Sequence, residues 1–277
     1  MRSNHVRERL QVGEPSIGTW LALPSPEAAE YVATLGFDWL TVDAEHNPVD
    51  IRTLSLMFGA IAGKGVAPFV RIPWNSGENI KRVLDAGAWG IVVPMVNTRA
   101  EAEAAVAAAR YPPRGVRSIG GGLTGIRFGA SGGEYLQRAD DNIVVALQIE
   151  HAIGVENADA ILSVPGVDAC FIGPNDLAAS MGVGNGVPLE SEDPRLMEAI
   201  AEIKAACIRN GVAPGIHTSG ANGVNQRIAE GFQFLAMASE SSYLLGGLRS
   251  DLAALNWSAS PRDGAAGAVP SGSAVRY

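Results

Sequence analysis

Eight times along this chain a short run of β-branched and other apolar residues gives way to a turn and then to a helical stretch, often rich in alanine. SIGTWLAL from Ser16 leads into PEAAEYVATLG, closed by Gly36, and DWLTVDAEH from Asp38 leads into a helix ending near Gly63. APFVRIP and GIVVPMV are followed by NIKRVLDAG, ending at Gly87, and by TRAEAEAAVAAARYP. NIVVALQIE precedes ENADAILSVPG, VDACFIG precedes NDLAASMG and PRLMEAIAEIKAACIRNG, APGIHT precedes GANGVNQRIAEG, and QFLAMASE precedes SSYLLGGLRSDLAAL. Strand and helix alternating without reversal imply a parallel sheet, and continuously apolar strands imply cover on both faces. Eight such units point to closure as a (β/α)8 TIM barrel, not to an open doubly wound sheet. The first strand-to-helix turn, LALPSPEA, also lacks the glycine fingerprint of a dinucleotide site. A chain of 277 residues, 47% of them apolar, suffices for one such domain over residues 1–257. The remainder, 258–277, has a linker composition and is expected to be a disordered tail.

Charge and cysteine usage narrow the function. The net charge is −8 and no basic stripe is present, which argues against nucleic-acid binding. An anionic substrate would therefore need local cationic help. No apolar run reaches the roughly 18 residues of a membrane span, and the first residues lack a signal-peptide core. Cys170 and Cys207 lie in apolar stretches without a paired motif, as expected of core residues in a reducing compartment. These features together predict a cytoplasmic protein. Only Lys64, Lys81 and Lys204 occur, all on predicted helices or helix ends. A Schiff-base mechanism needs a desolvated lysine facing the substrate, and none is placed for it. Carbanion chemistry would fall to a metal or to an arginine.

In a barrel of this kind the chemistry sits at the carboxyl ends of the strands. The polar residues expected there are Asp43, Glu45 and His46; Arg71; Gln148, Glu150 and His151; Gly173, Pro174, Asn175 and Asp176; His217; and Glu240. Gln148 and Glu150 alternate with Ile149 and so share one face of their strand. Carboxylates from adjacent strands, with no thiolate and few imidazoles nearby, suit Mg²⁺ or Mn²⁺ better than zinc. Each residue has a structural alternative. Asp176 or Asn175 can cap a helix, Glu150 can be a rim carboxylate, Arg71 can pair with either acid, His46 can be a surface residue, and His151 and His217 can be structural. A Gly- and Arg-rich segment, Arg114 to Asp141, is long for a connection and is expected to be either functional or a surface excursion.

TVDAEH, PFVRIP, LDAGAWGIVVPMV, ALQIE and FIGPNDLAASMG resemble, in order and spacing, the HpcH/HpaI family of metal-dependent (class II) pyruvate aldolases, from about Ser16 to Asn256. The resemblance implies a barrel of the phosphoenolpyruvate/pyruvate type and action on compounds such as 2,4-dihydroxyhept-2-ene-1,7-dioate, in the catabolism of aromatic compounds. It implies Glu150 and Asp176 as ligands of Mg²⁺, Mn²⁺ or Co²⁺, with no organic cofactor. Arg71 would steady the enolate oxygen, and His46, with Asp43 beside it, would be the acid/base. Asp85 would reach a neighbouring subunit's histidine. Gln148 and Trp20 would line the pocket, and the backbone around Gly173, Pro174 and Asn175 would hold the substrate carboxylate. The expected assembly is a hexamer, a dimer of trimers, with exchanged C-terminal helices. The expected reaction is reversible retro-aldol cleavage of a 4-hydroxy-2-oxo acid to pyruvate and an aldehyde. Alternatives are a citrate lyase β-type acyl-CoA lyase, a phosphoenolpyruvate or oxaloacetate decarboxylase, and a non-catalytic ligand-binding barrel. SIGGGLTGIRFG departs from the family pattern and leaves the aldehyde open.

Overall fold

The computed structural model describes residues 1–256. Eight strands, β1 (Ser16–Leu21), β2 (Trp39–Asp43), β3 (Ala67–Arg71), β4 (Gly90–Val93), β5 (Val144–Ile149), β6 (Ala169–Ile172), β7 (Ala213–Thr218) and β8 (Phe234–Ser239), pair in sequence order and close as a parallel barrel. The helices are α1 (His5–Gln11), α2 (Pro26–Val32), α3 (Ile51–Gly63), α4 (Gly77–Ala86), α5 (Arg99–Ala109), α6 (Leu123–Arg127), α7 (Gly132–Arg138), α8 (Ala152–Glu156), α9 (Ala158–Leu162), α10 (Pro174–Ser180), α11 (Pro194–Asn210), α12 (Ala221–Ala229) and α13 (Glu240–Ala254). Local chemistry sets many of the helix ends. The hydroxyls of Ser25, Ser76 and Thr98 and the carboxylates of Asp50 and Asp193 accept from first-turn amides, each cap contributing about 1 kcal/mol. Gly87 closes α4 in the left-handed region (φ 110°), where a side chain would be strained.

The lower barrel is filled by rings. Trp39 stacks on Phe234 at 4.4 Å between centroids, and Phe69 lies 5.7 Å from Phe234. Gly18 faces Trp39 and Gly90 faces Phe69, where any Cβ would overlap the ring. Large and small residues thus interdigitate into a packed plug. The plug forces the polar residues of the strands into the upper layer, where the site lies.

Two features of the fold differ from the sequence reading, and a third bears on assembly. The first residues, read only as lacking a signal-peptide core, form α1. Val6 and Leu10, one turn apart, are buried, and Asn4 donates to the carbonyls of Trp89 (3.0 Å) and Asn142 (2.8 Å) just ahead of β4 and β5. α1 therefore covers the amino end of the barrel. The segment Arg114–Asp141 is no bare loop: it holds α6, α7 and a short 3-10 turn, with Phe128 stacked on Trp89 at 4.6 Å. α13 forms as expected but buries none of its residues on its own barrel, and Leu244, Leu248 and Leu252 are all more than half exposed. The expected tail, 258–277, lies outside the described residues.

Candidate active site at the carboxyl ends of the strands

Asp43 ends β2 and Arg71 ends β3, and the two pair directly in the sheet register. The Arg71 guanidinium donates from Nε to Asp43 Oδ1 at 2.9 Å, and its Nη2 lies 2.8 Å from Oδ2. Its Nε also lies 3.2 Å from Glu45 Oε2, and its Cζ sits 4.6 Å from the Trp20 ring centroid. Its Nη1 takes no part in these contacts. Asp43 additionally accepts from the Glu45 amide (3.1 Å) and from Asn47 Nδ2 (2.7 Å). Burial pushes the Asp43 carboxyl up, but the Arg71 hydrogen bond and charge outweigh it and hold the group below its ordinary range. Asp43 and Arg71 are thus a fixed ion pair whose geometry is set before any ligand arrives.

Across the mouth, Glu150 follows β5 and is buried. Its Oε1 accepts from the Met95 amide at 2.9 Å, and Gln148 Nε2 donates to its Oε2. Met95 reaches this position with φ 54°, rare for a side-chain-bearing residue, which marks a backbone held in place for Glu150. Gly173 passes so close that a Cβ there would come within 2.6 Å of Glu150 Oε2. Burial is the main cause of a Glu150 carboxyl pushed up to about 7, and the charges of Asp176 and Glu45 add to it. Glu45 is likewise pushed up to about 7, first by burial and then by Asp43 and Asp176, against the pull of Arg71. Asp176 is exposed in the first turn of α10, where the capping residue is Gly173 and no side chain caps. The capping role open to Asp176 in the sequence is therefore not taken up.

This arrangement fits a hard divalent cation. The charge of Asp176 raises the proton affinity of both Glu45 and Glu150, and Arg71 is their cationic neighbour. Gln148 Oε1 and Asn175 Oδ1 are buried oxygens without a hydrogen-bond partner, and Glu45 Oε2 has only its ion contacts with Arg71 and His46. Among the described residues no three His, Cys, Asp or Glu side chains converge on one point, so a cation here would take two protein carboxylates and fill its remaining positions from water or substrate. A cavity of 420 Å³ lined by His46, Arg71, Asn175, Asp176, Asn185 and Gly186 opens beside them.

A family model for HpcH/HpaI aldolase/citrate lyase matches residues 16–245. The chain belongs to that family. It is 37% identical over 250 residues to a hydroxypyruvate/pyruvate aldolase of Rhizorhabdus wittichii, covering 90% of this chain and 98% of the relative. It is 38% identical over 241 residues to a 4-hydroxy-2-oxo-heptane-1,7-dioate aldolase of Shigella sonnei, covering 87% and 90%. A solved structure of an HpcH/HpaI aldolase/citrate lyase family protein from Burkholderia cenocepacia superposes with a TM-score of 0.83 at 36% identity, covering 91% and 98%. This HpcH/HpaI member is accordingly a carbon–carbon lyase of the aldolase kind.

Asp43, Arg71, Gln148, Glu150, Gly173, Pro174, Asn175 and Asp176 lie at or just beyond the carboxyl ends of their strands, and Trp20, next to last on β1, packs against Arg71 there. Two expected residues stand apart from this group. The His46 ring is half exposed and lies 3.7 Å from Glu45 Oε2, while the Asp43 carboxylate beside it is taken by Arg71, Asn47 and backbone amides. Asp85 lies on α4, outside the barrel, and its carboxylate accepts from Arg117 Nη2 at 2.8 Å in its own chain. It takes no part in this chain's own site. His151 caps α8 through its Nδ1 (3.1 Å from the Ile153 amide), which bears out its structural reading. Glu45 and Met95 are the contributors the sequence reading left without a role. The DAEH spacing pointed at Glu45, whereas nothing in the sequence signals the Met95 backbone. Among the described residues, no helix is long and apolar enough to cross a membrane.

Proposed function

We propose that this lyase is a divalent-cation-dependent aldolase that cleaves a 4-hydroxy-2-oxo acid reversibly into pyruvate, or a related 2-oxo acid, and an aldehyde. The observation that carries the reading is the buried Arg71 guanidinium, fixed by Asp43 among an excess of carboxylates. Glu150 and Asp176 would hold Mg²⁺, Mn²⁺ or Co²⁺, which when bound supplies Lewis acidity at the keto oxygen. Arg71 presents Nη1 where negative charge grows as the enolate forms, and its low exposure keeps that charge poorly screened. Asp43 orients Arg71 and does not itself move a proton, since it is held ionised. His46, at the cavity edge, takes the 4-hydroxyl proton during cleavage and returns it during addition, directly or through water. Gln148 fixes Glu150 through its amide, and Trp20 walls the site. The aldolase names of the relatives support this reading over an acyl-CoA lyase or a decarboxylase. No organic cofactor, nucleic acid or membrane is needed for it, and a cytoplasmic setting is the one we infer.

The exposed leucines of α13 support exchange of this helix between copies, in a hexamer built as a dimer of trimers. Asp85 would then stand near a neighbour's site. Light scattering at micromolar concentration should give a multiple of the chain mass, and a monomer would end both proposals.

The test of the reaction is exchange of pyruvate methyl protons with deuterated water, beside turnover with a panel of aldehydes. Chelation of divalent ions should abolish both. Arg71→Ala should lower kcat by roughly 10²–10³-fold, as for other oxyanion donors, and Arg71→Lys should restore little, because an ammonium lacks the planar fork. Wild-type exchange rates with only KM raised would make Arg71 a binding residue and refute the mechanism.

A further inference from the structure

His217 is a buried titratable group at the barrel mouth that the mechanism above does not use. It stands next to last on β7, opposite Ala236 in the register, with 9% of its surface exposed. Its ring lies 5.8 Å from the Trp20 ring and 6.5 Å from that of Phe171, centroid to centroid. The Ala238 carbonyl faces the imidazole and favours a proton on the ring. Nε2 is buried and has no partner, which leaves Nδ1 as the nitrogen nearer that carbonyl and the natural place for the ring proton. That placement of the proton leaves a lone pair on Nε2. Ala238 itself holds φ 47°, and its carbonyl also receives the Thr19 hydroxyl at 3.3 Å, so the acceptor that orients the imidazole is anchored twice. Burial, reinforced by the nearby Arg71 charge, pushes the imidazole down to about 4, so that it remains neutral at physiological pH.

The neighbouring ring carries the complementary defect. Trp20 Nε1, a donor and never an acceptor, is also buried without a partner. A polar atom buried without a partner has given up its bond to water and gained none in return. Two such atoms of opposite character, on adjacent rings beside Arg71, match a group that both donates and accepts. A hydroxyl does this, whereas a methyl group or a carbonyl does not.

We propose that His217 is a specificity-determining residue whose Nε2 accepts a hydrogen bond from a substrate hydroxyl, with Trp20 as the companion donor. The hydroxyl belongs either to the 2-oxo acid donor, at C3, or to the aldehyde. The inference rests on the aldolase reading of the site and adds to it the residue that recognises the hydroxyl.

Matched pairs test it: hydroxypyruvate against pyruvate with one aldehyde, and glycolaldehyde against acetaldehyde with pyruvate. The reported quantity is the kcat/KM ratio within each pair, which does not depend on how much of a variant is folded. His217→Leu keeps apolar bulk and should lower the hydroxylated member about 10-fold relative to its partner. His217→Gln retains an acceptor oxygen and should restore part of that preference. A change confined to the first pair assigns the hydroxyl to the donor, and one confined to the second assigns it to the aldehyde. Unchanged ratios in both pairs overturn the proposal, because the Nε2 lone pair then serves only water. If the wild type turns over neither pair, it is the aldolase reading that fails. The ratios of Kd within the same pairs, wild type against His217→Leu by calorimetry, then decide on His217 alone.

Discussion

At the amino end of the barrel one carboxylate sits between two arginines, and at the carboxyl end one arginine sits among four carboxylates. Asp168, ahead of β6, accepts from Arg7 Nε at 3.0 Å, from Arg110 Nη2 at 3.1 Å and from the Val145 amide at 2.9 Å. Arg110 also donates to the carbonyls of Ile143 and Gly166, so this network is built from the chain's own partners. At the other end Arg71 faces Asp43, Glu45, Glu150 and Asp176, and two of the four are pushed up to about 7. The same physical ingredients serve two ends. Where the charged groups find their hydrogen-bond partners within the chain, the network ties strands together. Where it is left unbalanced beside buried unpartnered oxygens, the molecule is completed by something it binds.

The largest expected effect comes from exchanging one acid for its amide at each end. Glu150→Gln should abolish cation-dependent turnover while leaving the melting temperature unchanged or higher, because it removes a carboxylate that its neighbours repel. Asp168→Asn should do the reverse. It leaves Arg7 and Arg110 without their counter-charge and should cost about 3–5 kcal/mol of stability, with kcat per folded molecule retained. Thermal melts together with active-site-normalised rates read both outcomes. If Asp168→Asn lowers kcat in folded protein, or Glu150→Gln destabilises as much as Asp168→Asn does, the division between the two ends is wrong.

How far this division could be read from the sequence differs between the ends. The carboxyl end was legible because strand-end position alone places Asp43, Arg71, Gln148, Glu150 and Asp176, and alternation about Ile149 puts two of them on one face. The amino end was not. α1 is a short helix whose two buried side chains give too brief a pattern to read, and its partners precede strands far along the chain. Asp85 shows a further limit. Its partner, Arg117, lies 32 residues away in a segment whose path depends on Phe128 stacking on Trp89. Glu45 stood in plain view at the end of the second strand, but its role depends on proximity to Asp176, which only closure of the barrel brings about. The strained Met95 backbone and the Gly173 approach to Glu150 are likewise products of tertiary packing, not of local propensity.

A smaller effect, and a sharper one, concerns protons. In the cation-free protein Glu45 and Glu150 bind protons more tightly than an unfolded glutamate does, since both sit at about 7 against an ordinary 4.5. The folded state therefore holds more protons than the unfolded state between those values. Its stability from these groups is full below about pH 4.5 and is lost as pH rises through about 7. Asp43 works in the opposite sense: its pKa is lowered, so its contribution is present above the ordinary carboxylate range and is lost on acidification below it. Between pH 5 and 7.5 the raised glutamates dominate the change. A divalent cation competes for the same carboxylate oxygens, so its affinity should rise with pH, by up to about tenfold per unit below pH 7 if one proton is displaced. Melting curves at pH 5.5 and 7.5, with chelator and with Mn²⁺, measure this directly. The stabilisation by Mn²⁺ should be small at pH 5.5 and clearly larger at pH 7.5, and Glu150→Gln should remove it at both. Mn²⁺ stabilisation that is equal at the two pH values, or that survives Glu150→Gln, would show that the cation does not answer the surplus of carboxylates at this end of the barrel.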